Sequence, residues 1–156
     1  MKKIAVVTIF LIYSVTAMYS QDKNQEKMEK RVINPWTWQD ARSYVQAVEV
    51  RNSAGTLYVS GQTAIDDEGR SSTADMKTQL EQAIKNLEKV INQADYDCKN
   101  IVRLTIYTTS TEELWPHFKI LQDWVEKHGM QQALTMLEVT GLFETLKVEL
   151  EATVVK

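Results

Sequence analysis

The clearest pattern in the chain lies between Met76 and Ala94, where Met76, Leu80, Ala83, Ile84, Leu87, Val90, Ile91 and Ala94 recur at spacings of three and four among Lys, Gln and Glu. An apolar stripe at that spacing predicts an amphipathic helix. Ser71-Ser72-Thr73, just ahead of it, offer N-caps. A second stripe, Leu114, Phe118, Leu121 and Val125 with Trp115 and Trp124 beside it, predicts another helix. Gly129 marks its end, and Pro116 lies in its first turn or bends it. Elsewhere the period is two. Ile101 to Thr108 sets Val102, Leu104 and Ile106 against Arg103, Thr105 and Tyr107, and Lys147 to Val155 sets Val148, Leu150, Ala152 and Val154 against Glu149, Glu151, Thr153 and Val155. Leu134 to Thr140 reads as a further strand, and Tyr44–Arg51 with Thr56–Gln62, joined by Asn52-Ser53-Ala54-Gly55, reads as a hairpin.

The resulting order, β-β-α-β-α-β-β, predicts an α+β fold in which two helices pack on one face of a mixed sheet. Nothing in the chain remains to cover the other face. That face carries Glu149, Glu151, Arg103 and Tyr107 among aliphatics, a mixture expected of a subunit interface, so a homo-oligomer is predicted.

Length and charge narrow the picture. With 156 residues there is room for one domain, and 44% hydrophobic against 25% charged residues excludes a disordered or collagen-like chain. A net charge of -3 without any basic run argues against a nucleic-acid partner. The N-terminus differs from the rest: Met1-Lys2-Lys3, an uncharged apolar stretch from Ile4 to Val15, then Thr16-Ala17-Met18-Tyr19-Ser20. This predicts a signal peptide over residues 1–20, followed by a flexible tether over 21–31 and a folded domain over 32–156. The apolar stretch falls short of the roughly 20 residues of a membrane span, so a periplasmic or secreted protein without stable membrane association after cleavage is expected.

Familiar catalytic motifs are absent: there is no phosphate-binding glycine loop, no H-E-x-x-H and no G-x-S-x-G. The single cysteine, Cys98, permits no internal disulfide and no site of two or more thiolates. His117 and His128 lie eleven positions apart, about 16 Å by helical rise, too far to share a metal, and are expected to be solvated. No metal or cofactor is expected. Trp36 and Trp38, two positions apart in Asn34-Pro35-Trp36-Thr37-Trp38, are expected to cap the core rather than roof a pocket.

Tyr44-Val45-Gln46-Ala47, Val59-Ser60-Gly61-Gln62, the long helix, the strand Ile101–Thr108 and the ending Lys147-Val148-Glu149-Leu150-Glu151-Ala152 resemble, in order and spacing, the RidA/YjgF family. The likeness runs from about Val32 to the C-terminus. It implies a chorismate-mutase-like homotrimer with a small-molecule cleft at each subunit interface, and hydrolysis of 2-imino or 2-enamino acids to 2-keto acids and ammonia without metal or cofactor. It further implies that a Pro-Ala-Arg-[Ser/Thr] segment holds the substrate carboxylate, the arginine fork matching it bidentately. Here the segment is Gln132-Ala133-Leu134-Thr135, with Leu134 in the arginine's place. Leaving a buried carboxylate without its partner costs about 3–5 kcal/mol, or about two to three and a half decades of affinity.

The expectation is therefore a cleft that binds a neutral metabolite with little or no 2-imino acid deaminase activity. The alternative is a hydrolase acting on an imine, enamine or related electrophile. In that alternative the resemblance gives Glu149 the role of base towards the attacking water and Tyr44 that of orienting the ligand. By the same resemblance Ser60, Gly61, Leu134, Thr135 and Met136 line the cleft. A cation relocated from elsewhere would have to come from Arg42 or Arg103.

Overall fold

The computed structural model describes residues 27–38 and 40–156, so the expected signal peptide and residues 21–26 of the expected tether lie outside the described residues. Its strands are β1 (Glu29–Ile33), β2 (Ala47–Arg51), β3 (Thr56–Gln62), β4 (Ile101–Thr108), β5 (Ala133–Glu138) and β6 (Val148–Val155). The long helix α1 spans Met76–Gln93. The second helical region breaks at Pro116 into a turn, Thr111–Leu114, a tighter turn, Trp115–His117, and α2 (Phe118–His128). Gly129 closes α2 at φ 60°, a left-handed conformation that suits a residue without a side chain.

Four strands form one sheet in the order β3-β6-β4-β5. The β3–β6 and β6–β4 pairs are antiparallel, and β4–β5 is parallel because the chain crosses back through α2 between them. The sheet is thus mixed, with both helices on one face. Leu80, Leu87 and Ile91 of α1 and Leu121 of α2 meet Leu104, Ile106, Val148 and Leu150 of the sheet in one core cluster. Each such side chain taken fully out of water contributes about 1.5–3 kcal/mol.

Four local expectations are corrected. The predicted hairpin does not form: β2 pairs antiparallel with β1, while β3 pairs with β6. The intervening turn is occupied by the far end of the chain, since the amides of Ala54 and Gly55 both donate to the Lys156 carbonyl and the Lys156 amide donates back to Gly55. Asn52, at φ 54°, starts the turn that parts β2 from β3. Because β1 needs a full partner for β2, it also takes in Glu29, Lys30 and Arg31, the last three residues of the predicted tether. The cap of α1 is Asp75, whose carboxylate accepts the Thr78 amide at 2.8 Å, rather than a residue of Ser71–Thr73. Finally, Trp36 and Trp38 do not cap the core; they are 56% and 52% exposed. They lie against each other, ring centroids 6.2 Å apart, and Trp38 meets Tyr44 edge-on at 6.5 Å.

Candidate functional site

Register decides which face each candidate residue occupies. On β5, Leu134 pairs with Leu104 and Met136 with Ile106, so both share the helix-covered face with those core residues and pack at its edge. There they line a cleft of about 510 Å³ with Tyr44 and Arg42 on one wall and Trp115 and Phe118 on the other. Trp115 and Phe118 stack with ring centroids 5.1 Å apart. Proline at 116 produces this wall: it ends the first helical turn and brings Trp115, 62% exposed, beside Phe118 at the start of α2.

The loop carrying Tyr44 is fixed by glutamines. Gln132, fully buried at the entry to β5, donates from Nε2 to the Ser43 carbonyl at 2.9 Å, and its main-chain carbonyl accepts the Val45 amide at 3.1 Å. Gln122 of α2 donates to the Ala41 carbonyl at 3.3 Å. Between these ties Ser43 sits at φ 58°, a conformation that costs free energy for a residue with a Cβ and persists because the surroundings hold it.

The remaining candidates lie on the opposite face. Glu149 pairs in register with Tyr107, and Glu151 with Thr105, so both acids project away from the helices. Gly61 lies where the β3–β6 register shifts between Val59 and Gln62. A Cβ at Gly61 would overlap the Glu149 carboxylate, so only glycine lets that side chain lie across the strand. Ser60, next to it, is exposed. The Tyr107 hydroxyl donates to Glu151 at 2.9 Å, and that bond raises the phenol above its ordinary pKa. Arg103 donates to the Thr135 hydroxyl at 3.0 Å, so this arginine, like Thr135, serves the open face and not the cleft of Leu134.

The predicted site residues therefore separate into two groups. Tyr44, Leu134 and Met136 share a cleft on the helix side; Glu149, Thr135 and Gly61 share the open face, with exposed Ser60 beside Gly61. One sheet stands between them, and the fold of one chain does not bring them together. Trp115 and Phe118 are additions to the cleft that sequence reading did not assign, and Arg42, one of the two arginines named there as a relocated cation, lines the same cleft. A signal existed for Trp115, which borders the stripe; Phe118 is a member of the stripe and packs against the core while also lining the cleft.

Among the described residues one group of three possible metal ligands converges, Glu88, Cys98 and His128, with ligand atoms within 4.8 Å of one another. Its bonding is that of a structural pin. Glu88 of α1 accepts the Trp124 indole N–H at 2.8 Å and lies 2.9 Å from His128 Nε2, both on α2. Burial opposes ionisation of Glu88, but the bonds from Trp124 and His128 and the nearby Lys127 and His128 charges outweigh it and hold the carboxyl below its ordinary value. Burial, reinforced by Glu88 and Asp97, pushes the Cys98 thiol up to about 11, so it stays protonated. His128 is thus half-buried and bonded, not solvated as expected, because Glu88 faces it from α1.

A family model described as endoribonuclease L-PSP matches residues 37–156. A RutC family protein of Aquifex aeolicus (strain VF5) is 32% identical over 113 residues, 72% of this chain and 88% of that protein. A 2-iminobutanoate/2-iminopropanoate deaminase of Mus musculus is 28% identical over 114 residues, 72% of this chain and 81% of that one. Among solved structures, YyfB, a Rid family protein of unknown function from Yersinia pestis, superposes with a TM-score of 0.72 at 28% identity, covering 81% of this chain and 98% of the other.

Proposed function

The chain belongs to the endoribonuclease L-PSP family, which includes RidA/YjgF, and on that premise we propose that its cleft binds a small molecule with an apolar body while hydrolysing short 2-imino acids poorly. The observation that carries this reading is the placement of Leu134. It stands where the family resemblance puts the carboxylate-binding arginine, and it lines the cleft between Tyr44 and the Trp115–Phe118 wall. A leucine offers no donor to a carboxylate. Leu134 by itself favours an uncharged ligand; Arg42, on the same cleft, does not.

In this proposal the protein is a homotrimer, and the open face of one subunit completes the cleft of another. Support comes from the division of candidate residues between two faces and from the uncovered Glu149, Glu151 and Arg103. Export with cleavage is likewise part of the proposal, resting on residues 1–20; N-terminal sequencing from cell fractions tests it, and recovery of the protein in the cytoplasmic fraction with Met1 or Lys2 at its N-terminus contradicts it. The description of the family names an endoribonuclease, but a net charge of -3 without a basic run gives RNA phosphates little to bind.

Native mass spectrometry of the purified protein tests the binding role and the assembly together. The expected result is a trimer from which small molecules are released on denaturation. A monomer, or a trimer that carries nothing and takes up no apolar ligand, contradicts the reading.

A second reading is a hydrolase. It is favoured by Glu149, which has no ion-pair partner among the described residues and lies across Gly61 with its carboxylate available. As general base it would take one proton from water as the oxygen adds to the C=N carbon and pass it to nitrogen, then carry the remaining O–H proton of the carbinolamine to nitrogen as the C–N bond breaks and C=O forms, releasing a carbonyl compound and an amine or ammonia. Under this reading Glu149→Gln abolishes turnover and leaves ligand affinity within about threefold, a change of well under one factor of ten. Turnover undiminished in Glu149→Gln removes it.

A further inference from the structure

We infer that Arg42 is an anion anchor of this cleft, and that the ligand class it selects is a carboxylate, or a similar monoanion, on an aromatic or branched apolar body. The inference rests on the reading of the cleft as a ligand site.

Arg42 lines the same cleft as Leu134 and Met136, yet it comes from a different element, the turn Asp40–Arg42 at the rim, not the β5 floor. Its backbone is held on both sides. Gln122 ties down Ala41, and Gln132 ties down Ser43 and Val45, so the left-handed Ser43 fixes how the chain leaves Arg42 and enters Tyr44. The guanidinium is placed as well, its central carbon 5.3 Å from the centre of the Trp38 ring. A guanidinium held over an aromatic ring spends none of its N–H groups on that contact, so they stay free to donate to a two-oxygen anion.

The other cation of the cleft is already committed: Lys119 is bonded to Asp123. No described carboxylate side chain lies within ion-pair distance of Arg42. In a chain with net charge -3, an arginine positioned by three side chains and left facing a cleft is arranged to receive a charge from outside the protein.

The walls determine the rest of the ligand. A cleft of about 510 Å³ falls in the range of sites for ligands well above four carbons, and its lining by Leu134, Met136, Trp115 and Phe118 rewards an aromatic or aliphatic body. With the anion at the rim and that body over Leu134, the ligand would lie in the opposite sense to a small acid held from β5.

A matched pair of probes tests this: 3-phenylpropionate and 3-phenylpropanamide, which differ in charge and hardly in shape, titrated calorimetrically into the full protein and into Arg42→Gln and Lys119→Gln. The acid is expected to bind the unaltered protein about tenfold more tightly than the amide, as for one charge-assisted pair at a partly exposed site. That preference should vanish in Arg42→Gln, through a loss of acid affinity larger than any loss of amide affinity, and survive in Lys119→Gln. Equal affinities in the unaltered protein, or an acid preference that persists without Arg42, overturn the anchor while leaving the cleft as a ligand site. Binding of neither probe contradicts both the anchor and the proposed function.

Discussion

Strand β6 has two faces with different requirements. Val148, Leu150, Ala152 and Val154 point into the helices and are buried within one chain. Glu149, Glu151 and Thr153 alternate with them and point to the side that no helix covers. The first face is complete in the monomer, so its residues are explained by packing alone. The second is polar yet precisely fitted, with glycine at 61 making room for Glu149 and Tyr107 bonded to Glu151, and folding of a monomer accounts for neither feature. Stability is thus concentrated on one side of the sheet and unexplained chemistry on the other, with the Leu134 cleft at the edge of the stable side.

The largest expected effect compares neighbours on this strand. Leu150→Ala should cost about 2–5 kcal/mol of unfolding free energy, the range for a fully buried leucine, whereas Glu149→Gln should cost less than about 1 kcal/mol. Denaturant titration of both variants is the measurement, and equal losses would break the contrast between the faces. Next in size is Gly61→Ala, whose methyl would force the Glu149 side chain to move. A loss of about 1–3 kcal/mol is expected, most of it recovered when Glu149→Ala is added, because the overlap is then gone. Failure of the second substitution to rescue would mean that the backbone at the β3 irregularity, not the carboxylate, demands glycine.

A smaller effect belongs to the pin between the helices. The Glu88 carboxyl is held below its ordinary value of 4.5 in the folded state, so its contribution is fully present above that pH and is lost as pH falls through the depressed folded value. The stability difference between the unaltered protein and Glu88→Gln should therefore be flat at neutral pH and shrink below about pH 4.5. A difference that grows on acidification would reverse the assigned sign.

What the sequence made legible was periodicity. The stripe of α1 and the alternation of β4 and β6 each follow from local spacing, and each appears where expected. Strand pairing was less accessible, because it depends on which edges distant segments occupy: β6 takes β3, and β1 takes β2, so adjacency of β2 and β3 in sequence gave the wrong partner. The site was half legible. Resemblance named Tyr44, Leu134, Met136 and Glu149; alternation along β6 already put Glu149 on the open face, but the face of Leu134 and Met136 is set by the parallel β4–β5 register, a contact between segments some thirty residues apart that no short pattern encodes. Trp36, Trp38 and Trp115 looked like burial because large aromatics usually are; here they remain exposed, and Phe118, stacked on Trp115, is half-buried at the cleft.

The claim that Leu134 removes the carboxylate anchor of the family reaction is tested most directly by ammonia release from 2-iminobutyrate, measured side by side for this protein and its Mus musculus relative. The account predicts a kcat/KM lower by about two to three and a half decades, the equivalent of about 3–5 kcal/mol for a buried charge without its partner. A value within tenfold of the mouse enzyme would contradict it.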